Sequence, residues 1–228
     1  MASNSSSNAT IYFGYGSNLW LHQMDQRCPT SKYLGVARLN GYKWIINDRG
    51  YANVVEVEHA NLAHPSIPVT HGDTEDLQQE QSHSYENVVF GLVYSLEASD
   101  EKRLDRNEGV PIAYTKEGLK TDFWSSKNGS WVDITKKPTK SEKMLVYIDR
   151  NRTSEDVPKK EYIYRMNRGI EDAVKMGVPK KYVEDVMRRF IPEDGIEDRK
   201  SMETFARKQA VEFRDESGVF GAEDGHGR

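Results

Sequence analysis

Apolar residues follow two different periods along the chain, and the change comes near Pro158. Before it, short runs rich in β-branched and aromatic residues, such as residues 11–15 and 88–94, predict buried strands. After it, apolar residues recur at steps of three and four, the period of an amphipathic helix: Tyr162, Ile163, Met166, Ile170, Ala173 and Val174. Strands that precede the helices, instead of alternating with them, predict an α+β fold.

Shorter patterns predict the remaining elements. Further strands are expected at residues 35–46, 52–58, 114–124, 131–134 and 144–149. Short helices are expected over residues 18–27 and from Ser99, a good N-cap residue. The second of them ends near Glu108, where Gly109 suits the C-cap, and a last helix opens at Pro179. This number of strands permits a small barrel or a strongly curved sheet.

Composition separates one domain from three polar segments. Residues 1–10 are rich in Ser and Asn, which predicts a disordered leader, and they lack the apolar stretch of a signal peptide. Residues 59–86, with two prolines and little apolar periodicity, predict an exposed insertion. Residues 193–228 are charged and predict a weakly packed tail. The catalytic domain is therefore expected at residues 11–192, interrupted by the insertion.

Charge and composition exclude several classes of partner. With a formal net charge of −4, the chain has no overall basic field for a phosphate backbone, and binding to nucleic acid is not expected. No stretch approaches the ~18 apolar residues of a membrane helix, so no membrane partner is expected either. The single cysteine, Cys28, allows no intramolecular disulfide, which favours a reducing compartment and a soluble, cytoplasmic protein.

Metal and thiol chemistry are not expected from the sequence. The histidines of the insertion have irregular spacings that match no standard ligand pattern: His59, His64, His71 and His83. Cys28 precedes Pro29 and has no evident catalytic partner. A buried or incidental thiol is therefore the favoured interpretation of Cys28, over a nucleophile.

A glycine-rich loop follows the first predicted strand, in Phe13-Gly-Tyr-Gly-Ser-Asn-Leu19. Gly14 and Gly16 allow a ligand to approach the main chain, and successive amides that lead into a helix can hold an anion. A dinucleotide fingerprint would need a glycine where Leu19 stands, and no Gly-Lys-Ser/Thr follows, so the usual nucleotide motifs are excluded. The spacing alone fits a carboxylate- or phosphate-sized anion site and a plain tight turn equally well.

A second candidate lies in Leu104-Asp-Arg-Asn-Glu-Gly-Val110. Glu108 stands at the expected end of a short helix, next to a glycine, and could project into a cleft. Apolar surroundings would raise the pKa of its carboxyl toward neutrality, which suits a group that accepts and returns a proton. A surface acid at a helix C-terminus has the same pattern, and the residues alone favour that second interpretation.

Three segments together resemble the γ-glutamyl cyclotransferase-like superfamily (γ-glutamylcyclotransferases and AIG2-like proteins). Tyr12-Phe-Gly-Tyr-Gly-Ser-Asn-Leu19 resembles its signature loop, and Leu104-Asp-x-x-Glu-Gly-Val110 resembles the segment with its catalytic glutamate. Tyr147-Ile-Asp-Arg-Asn151 is similar to a strand that ends in a tyrosine and an asparagine in that family. The three occur in the family's order, and the resemblance spans about residues 11–192.

The resemblance implies a small mixed β-barrel with helices packed around it, and an enzyme, a γ-glutamylcyclotransferase. Its partner would be a small γ-glutamyl substrate, converted to 5-oxoproline and a free amino acid or amine without a metal, a nucleotide or another cofactor. Glu108 would be the catalytic general acid/base. The substrate-binding residues that the resemblance implies are Tyr12, Phe13, Gly14, Tyr15, Gly16, Ser17, Asn18, Leu19, Tyr114 and Tyr147.

The choice of substrate and of function class stays open at this point. Glutathione-specific members of the superfamily more often have Gly-Ser-Leu in the loop, so Asn18 argues against that group. A general γ-glutamyl amino acid and a γ-glutamyl, glutathione-derived conjugate of a specialised pathway both remain. Two alternatives belong to other classes. One is a non-catalytic binding protein that keeps the fold, against which the presence of Glu108 argues. The other is a scaffold protein that binds a partner through residues 59–86 or 193–228.

Overall fold

A closed barrel of five strands is the main sheet of the computed structural model, which describes residues 9–57, 85–194, 196–215 and 217–219. The strands are β1 (Thr10–Gly14), β2 (Lys32–Asn40), β3 (Tyr42–Ile46), β4 (Ala52–Glu56), β5 (Val88–Leu96), β6 (Thr115–Ser125) and β7 (Lys140–Ile148). The helices of this part are α1 (Leu21–Arg27), α2 (Ala98–Asn107), α3 (Lys160–Met176), α4 (Lys180–Asp185) and α5 (Ile196–Val211). Single 3-10 turns lie at Ser17–Leu19 and Met187–Arg189.

Parallel pairing between β1 and β7 closes the barrel, whose strand order is β1, β5, β2, β6 and β7. Tyr12 lies opposite Leu145 in this parallel pair, and the other barrel pairings are antiparallel. Val36, Leu92 and Val146 are fully buried, as expected where side chains fill a small barrel. The α+β fold with a mixed barrel is therefore confirmed, while β3 and β4 form a separate hairpin.

Two strand predictions are wrong. Residues 35–46 belong to two strands, because β2 ends at Asn40 and β3 begins in the other sheet. Gly41, between them, has a φ of +78°, a left-handed conformation that glycine adopts readily and that turns the chain away from the barrel. Residues 131–134 form no strand: Trp131 is 60% exposed, in the loop between β6 and β7.

The predicted helix boundaries need smaller corrections. Ser99 lies inside the first turn of α2, and the N-cap position belongs to Glu97, whose side chain makes no capping hydrogen bond. The predicted C-terminus is confirmed, with Glu108 as the C-cap and Gly109 next to it at a φ of +64°. The helix expected over residues 18–27 is divided at Trp20, whose extended backbone separates a 3-10 turn from α1.

The prediction of a weakly packed tail is wrong for the part of it that the structure describes. α5 contacts α1 and α3. Ala206 and Ala210 are fully buried beside Trp20 and Tyr164, since small side chains let the helix lie close to its neighbours. Residues 1–8, 58–84 and 220–228, which include most of the predicted leader and insertion, lie outside the described residues.

The described residues add three facts on membrane, metal and thiol chemistry. Among them, no helix has both the length and the apolar character needed to cross a membrane. They hold no group of three or more His, Cys, Asp or Glu side chains arranged to bind a metal ion, and the insertion histidines fall outside them. Cys28 is buried, as the favoured interpretation expected, and burial raises the pKa of its thiol to about 12.

Candidate active site

A cavity of about 50 Å³ lies between the loop after β1, the C-terminal end of α2 and helix α3. Residues from all three elements line it, although they are far apart in the sequence. Most of the predicted site residues are among them: Tyr12, Tyr15, Gly16, Ser17, Asn18, Glu108, Tyr114 and Tyr147.

Three predicted binding residues do not line this cavity. Phe13 and Leu19 are fully buried in the hydrophobic core. Phe13 follows Tyr12 in β1, and successive side chains of a strand point to opposite faces. Leu19 instead approaches Gly169 of α3 closely, since a Cβ at that glycine would lie 3.0 Å from the Cβ of Leu19. Gly14 ends β1 and is paired with Leu92 of β5.

Asn18 joins the loop to Glu108. Its Nδ2 donates hydrogen bonds of 2.8 Å to Oε1 of Glu108 and of 2.8 Å to the hydroxyl of Tyr12. Its Oδ1 accepts from Gln23 Nε2 at 2.8 Å and from Arg27 Nη1 at 3.2 Å. Because donors surround the oxygen and acceptors surround the nitrogen, the orientation of the amide is set by its neighbours.

The carboxyl of Glu108 has a raised pKa in the cavity. Burial raises the pKa because it disfavours the charged form. The positive charge of Arg27 and the hydrogen bond from Asn18 lower it again, but burial outweighs them. Glu108 as a whole is only half-buried, so the carboxylate reaches into the cavity from a residue at its edge. A raised pKa suits a group that both accepts and returns a proton near neutral pH.

Tyr162 of α3 holds the loop against the β3–β4 hairpin. Its hydroxyl accepts hydrogen bonds of 3.2 Å from the backbone amides of Ser17 and Ala52. A Cβ at Gly16 would lie 2.9 Å from this hydroxyl, so glycine is needed there for a close approach. The amide of Leu19 donates to the carbonyl of Gly16 within the 3-10 turn. A ligand that binds the Ser17 amide would therefore have to displace Tyr162.

Tyrosine hydroxyls line the other side of the cavity. Tyr147 donates a hydrogen bond of 2.7 Å to Asp105, and Tyr15 donates one of 2.6 Å to the carbonyl of Tyr147. Tyr114 donates a hydrogen bond of 2.8 Å to the carbonyl of Ala52. Burial raises the pKa of all three tyrosines above the usual value, so they stay protonated at neutral pH.

Three arginines also line the cavity, and the sequence did not single them out: Arg27, Arg49 and Arg165. Arg165 was detectable, because it lies three residues after Tyr162 and next to Met166, on the apolar stripe of α3. It pairs with Glu161 through hydrogen bonds of 2.7 and 2.9 Å and also donates to Ser17 Oγ at 2.9 Å. Nothing local marks the other two arginines as buried.

Arg27 carries a positive charge that acts on Glu108, and it forms no ion pair within the described part of the chain. Its guanidinium donates to Asn18 and, at 2.9 Å, to the carbonyls of Gln209 and Ala210 on α5. Burial and the nearby charge of Arg165 lower the pKa of Arg27 to about 10, so it is still charged at neutral pH. Helix α5, which belongs to the predicted tail, thus supplies two hydrogen-bond acceptors to an arginine of the cavity.

Phe213, from the same predicted tail, covers the cavity. Its ring centroid lies 5.2 Å from that of Tyr51 and 5.3 Å from Cζ of Arg165. Its backbone amide donates a hydrogen bond of 3.1 Å to Oδ1 of Asn107, the last residue of α2. The sequence offered no signal for this contact, since Phe213 stands alone between charged residues.

The barrel, the loop and Glu108 together form a cavity that holds one carboxyl with a raised pKa. Its walls bring arginine guanidinium groups and tyrosine hydroxyls around one carboxyl whose pKa is raised. Such convergence of polar groups with a perturbed pKa in a cavity is typical of binding and catalytic sites.

Comparisons with known proteins agree with the fold. No protein-family model matches the chain. In sequence, the chain is 25% identical over 189 residues to a gamma-glutamylcyclotransferase from Bos taurus, over 75% of this chain and 91% of that protein. In structure, it is similar to a solved gamma-glutamyl cyclotransferase, with a TM-score of 0.56, 19% identity and coverage of 88% of this chain and 99% of the other. An uncharacterized protein from Homo sapiens also has a TM-score of 0.56 and 19% identity, with coverage of 86% and 99%. The chain therefore has the γ-glutamyl cyclotransferase fold, and its resemblance to the superfamily is confirmed.

Proposed function

We propose that the chain is a γ-glutamylcyclotransferase, which converts a γ-glutamyl amino acid or γ-glutamyl conjugate to 5-oxoproline and a free amino acid or amine. The observation that carries the proposal is the 2.8 Å hydrogen bond between Asn18 of the loop and Glu108 in one cavity. The two motifs that the resemblance pairs as binding loop and proton carrier thus lie in contact. The similarity to the Bos taurus gamma-glutamylcyclotransferase supports the same reaction.

The reaction is an intramolecular acyl transfer. The carboxylate of Glu108 accepts a proton from the α-ammonium group of the substrate, and the freed amine attacks the γ-carbonyl carbon. A new C–N bond closes a five-membered ring while the carbonyl oxygen becomes an oxyanion. The bond from that carbonyl carbon to the leaving nitrogen then breaks, and Glu108 returns the proton to that nitrogen. The second proton of the ring nitrogen passes through the same carboxylate to the departing amine, which leaves as an ammonium group and restores the charged form of Glu108.

The groups around Glu108 support each step. Burial raises its pKa, which makes the carboxylate a stronger base than an exposed glutamate. Tyr12 accepts a hydrogen bond from Asn18, which leaves its own proton free to donate to the oxyanion. The backbone amide of Ser17 would add a second donor once it releases the hydroxyl of Tyr162. One such donor contributes about 3 kcal/mol of transition-state stabilisation. The walls hold the folded substrate with its amine near its carbonyl, which supplies a further part of the rate.

The catalytic unit in this proposal extends beyond residue 192. Phe213 lines the cavity, and α5 supplies the carbonyls that hold Arg27. We therefore include residues 196–215 in the catalytic domain, as the segment that completes the wall of the site.

Release of 5-oxoproline from γ-glutamyl amino acids, glutathione and γ-glutamyl amines tests the proposal. We expect the native chain to release 5-oxoproline and Glu108→Gln to lose about 10²- to 10⁴-fold of the rate, the usual contribution of a positioned acid/base. Glu101→Gln is the matched control, because Glu101 lies on the same helix but pairs with Lys116 away from the cavity. An active Glu108→Gln chain would reject the role of Glu108. A native chain that binds these compounds without releasing 5-oxoproline would reject the enzyme.

A further inference from the structure

A second cavity, of about 230 Å³, adjoins the proposed active site. Arg49, Asn107 and Phe213 line both cavities and so form the wall between them. One water molecule needs roughly 10–15 Å³ of such space, so the inner cavity of about 50 Å³ holds only a few waters. A γ-glutamyl compound is larger than that. With its reacting end beside Glu108, its leaving half must extend past this wall into the outer cavity.

Arg49 is suited to bind a carboxylate at this wall. Its side chain is 2% exposed, and its Cζ lies 5.0 Å from the ring centroid of Tyr114 and 5.4 Å from that of Tyr51. Within the described part of the chain, its Nε and Nη1 have no hydrogen-bond partner. A guanidinium held between aromatic rings, with donors still unused, matches the planar geometry of a carboxylate.

The side chain of Asp215 already places a carboxylate against Arg49. It pairs with Nη2 of Arg49, and its side chain is 4% exposed. Its Oδ1 also accepts a hydrogen bond of 2.7 Å from the backbone amide of Ser217. Burial raises the pKa of Asp215, but the hydrogen bonds from Ser217 and Arg49 lower it further, so its pKa lies below the usual value and the group is charged at neutral pH.

We propose that the outer cavity is the subsite for the leaving amino acid, where Arg49 binds the carboxylate of that amino acid in competition with Asp215. This inference rests on the proposed function and assigns Arg49, with Asp215 as its competitor, as the residue that distinguishes γ-glutamyl amino acids from γ-glutamyl amines. The substrate carboxylate would take the unused donors of Arg49 and displace Asp215 from it.

A pair of substrates that differ only in this carboxylate tests the proposal: γ-glutamyl-alanine and γ-glutamyl-ethylamine. We expect kcat/KM of the native chain to be at least about tenfold higher for the amino acid, the scale of one charged hydrogen bond. Arg49→Met should bring that ratio close to one, because it slows the reaction of γ-glutamyl-alanine more than that of the amine, while the loss of its charge beside Glu108 acts on both reactions. Asp215→Asn should lower KM for γ-glutamyl-alanine about three- to tenfold and leave KM for the amine unchanged, because a competing charge is removed.

Glu212→Gln is the matched control for Asp215→Asn. It removes one negative charge from the same segment, but Glu212 is exposed and lines neither cavity. We expect it to leave KM for both substrates unchanged. Thermal melting shows whether Arg49→Met folds. If Arg49→Met does not fold, the effect of Asp215→Asn on KM for the two substrates tests the proposal.

Two results would overturn the proposal. One is an Arg49→Met chain that keeps the native ratio of kcat/KM between the two substrates. The other is an Asp215→Asn chain in which KM changes equally for both substrates. Calorimetric binding of the two compounds to Glu108→Gln separates this failure from failure of the proposed function. If the native chain releases no 5-oxoproline, the reaction is rejected, and the binding ratio in Glu108→Gln still decides the role of Arg49. Equal binding of the two compounds would reject it.

Discussion

The side-chain amide of Asn18 donates a hydrogen bond of 2.8 Å to Oε1 of Glu108, 90 residues further along the chain. The same nitrogen donates to the hydroxyl of Tyr12, while Gln23 holds the amide oxygen from the other side. One residue of the glycine-rich loop therefore positions the carboxylate and lowers its pKa against the effect of burial.

Removal of this donor should move the pH dependence of the reaction. In Asn18→Ala the pKa of Glu108 rises further, because a hydrogen bond to the charged form is lost. The reaction needs the carboxylate form, which disappears as the pH falls through the pKa. We therefore expect the acidic limb of kcat/KM to move to higher pH, with about a tenfold lower rate at neutral pH.

Asn40→Ala is the control for that profile. Asn40 donates to Asp122 at the end of β2, away from the cavity, and its loss should leave the pH profile unchanged. An acidic limb that stays in place in Asn18→Ala would show that the hydrogen bond does not tune Glu108.

Glu108→Gln should stabilise the folded chain at neutral pH. Because the pKa of Glu108 is raised on folding, the folded state binds the proton more tightly than the unfolded state. The stability from this group is complete below the usual pKa of glutamate and is lost as the pH rises through the raised value. Glutamine avoids that loss, so the melting temperature of the variant should exceed the native one at pH 7. The difference should vanish near pH 4.

Glu101→Gln should have the opposite effect. Partial burial raises the pKa of Glu101, but hydrogen bonds from Lys116 and Thr10 outweigh it, so its pKa is lowered. Its contribution to stability is present above the usual pKa of glutamate and is lost as the pH falls through the lowered value. At pH 7 the variant should melt below the native chain. If the melting temperatures of Glu108→Gln and Glu101→Gln at pH 7 shift in the same direction from the native value, the assigned pKa directions are wrong.

The ion pair of Arg165 with Glu161 should behave as a buried pair. Both side chains are no more than 2% exposed, so removal of one partner leaves an unpaired buried charge. Arg165→Met and Glu161→Gln should each lower the free energy of unfolding by about 3–5 kcal/mol, and the double variant by less than the sum. Urea denaturation measures the three values.

The exposed pair of Arg207 with Glu203 is the matched control, since it has the same four-residue spacing within one helix. Glu203→Gln should change the free energy of unfolding by about 0.5 kcal/mol or less. Additive losses in the Arg165 and Glu161 double variant would contradict the coupling.

Cys28 should be unreactive in the folded chain. Burial raises its pKa to about 12, so almost no thiolate is present at neutral pH, and the side chain is 1% exposed. Mass spectrometry should detect alkylation by iodoacetamide only after denaturation, and Cys28→Ala should keep the native turnover. Rapid alkylation of the native chain would contradict the burial of this thiol.

Local patterns predicted most of the fold. Strand β5 spans Val88–Leu96 where residues 88–94 were expected, and Gly177, with a φ of +114°, is the C-cap of α3, where glycine suggested an end. The prediction of one strand over residues 35–46 failed although Asn40-Gly41 is a turn dipeptide. Apolar residues resume at Tyr42, and their pattern does not show that the chain leaves the barrel for the hairpin there.

The site could be predicted only where a motif or a period indicated it. The loop and Glu108 were found through their resemblance to a family, and Arg165 lies on a detectable apolar stripe. Arg49 and Asp215 were missed. Each lies in a polar stretch typical of exposed turns, and they meet across 166 residues of sequence.

The order of strands and helices was readable from the chain because backbone propensity and side-chain periodicity act over a few neighbouring residues. The raised pKa of Glu108 and the cover of Phe213 over the cavity were not readable. Both depend on burial by segments that are remote in sequence and adjacent after the barrel closes. A local sequence pattern does not predict such contacts, because it does not indicate which distant segments will exclude water from a given side chain.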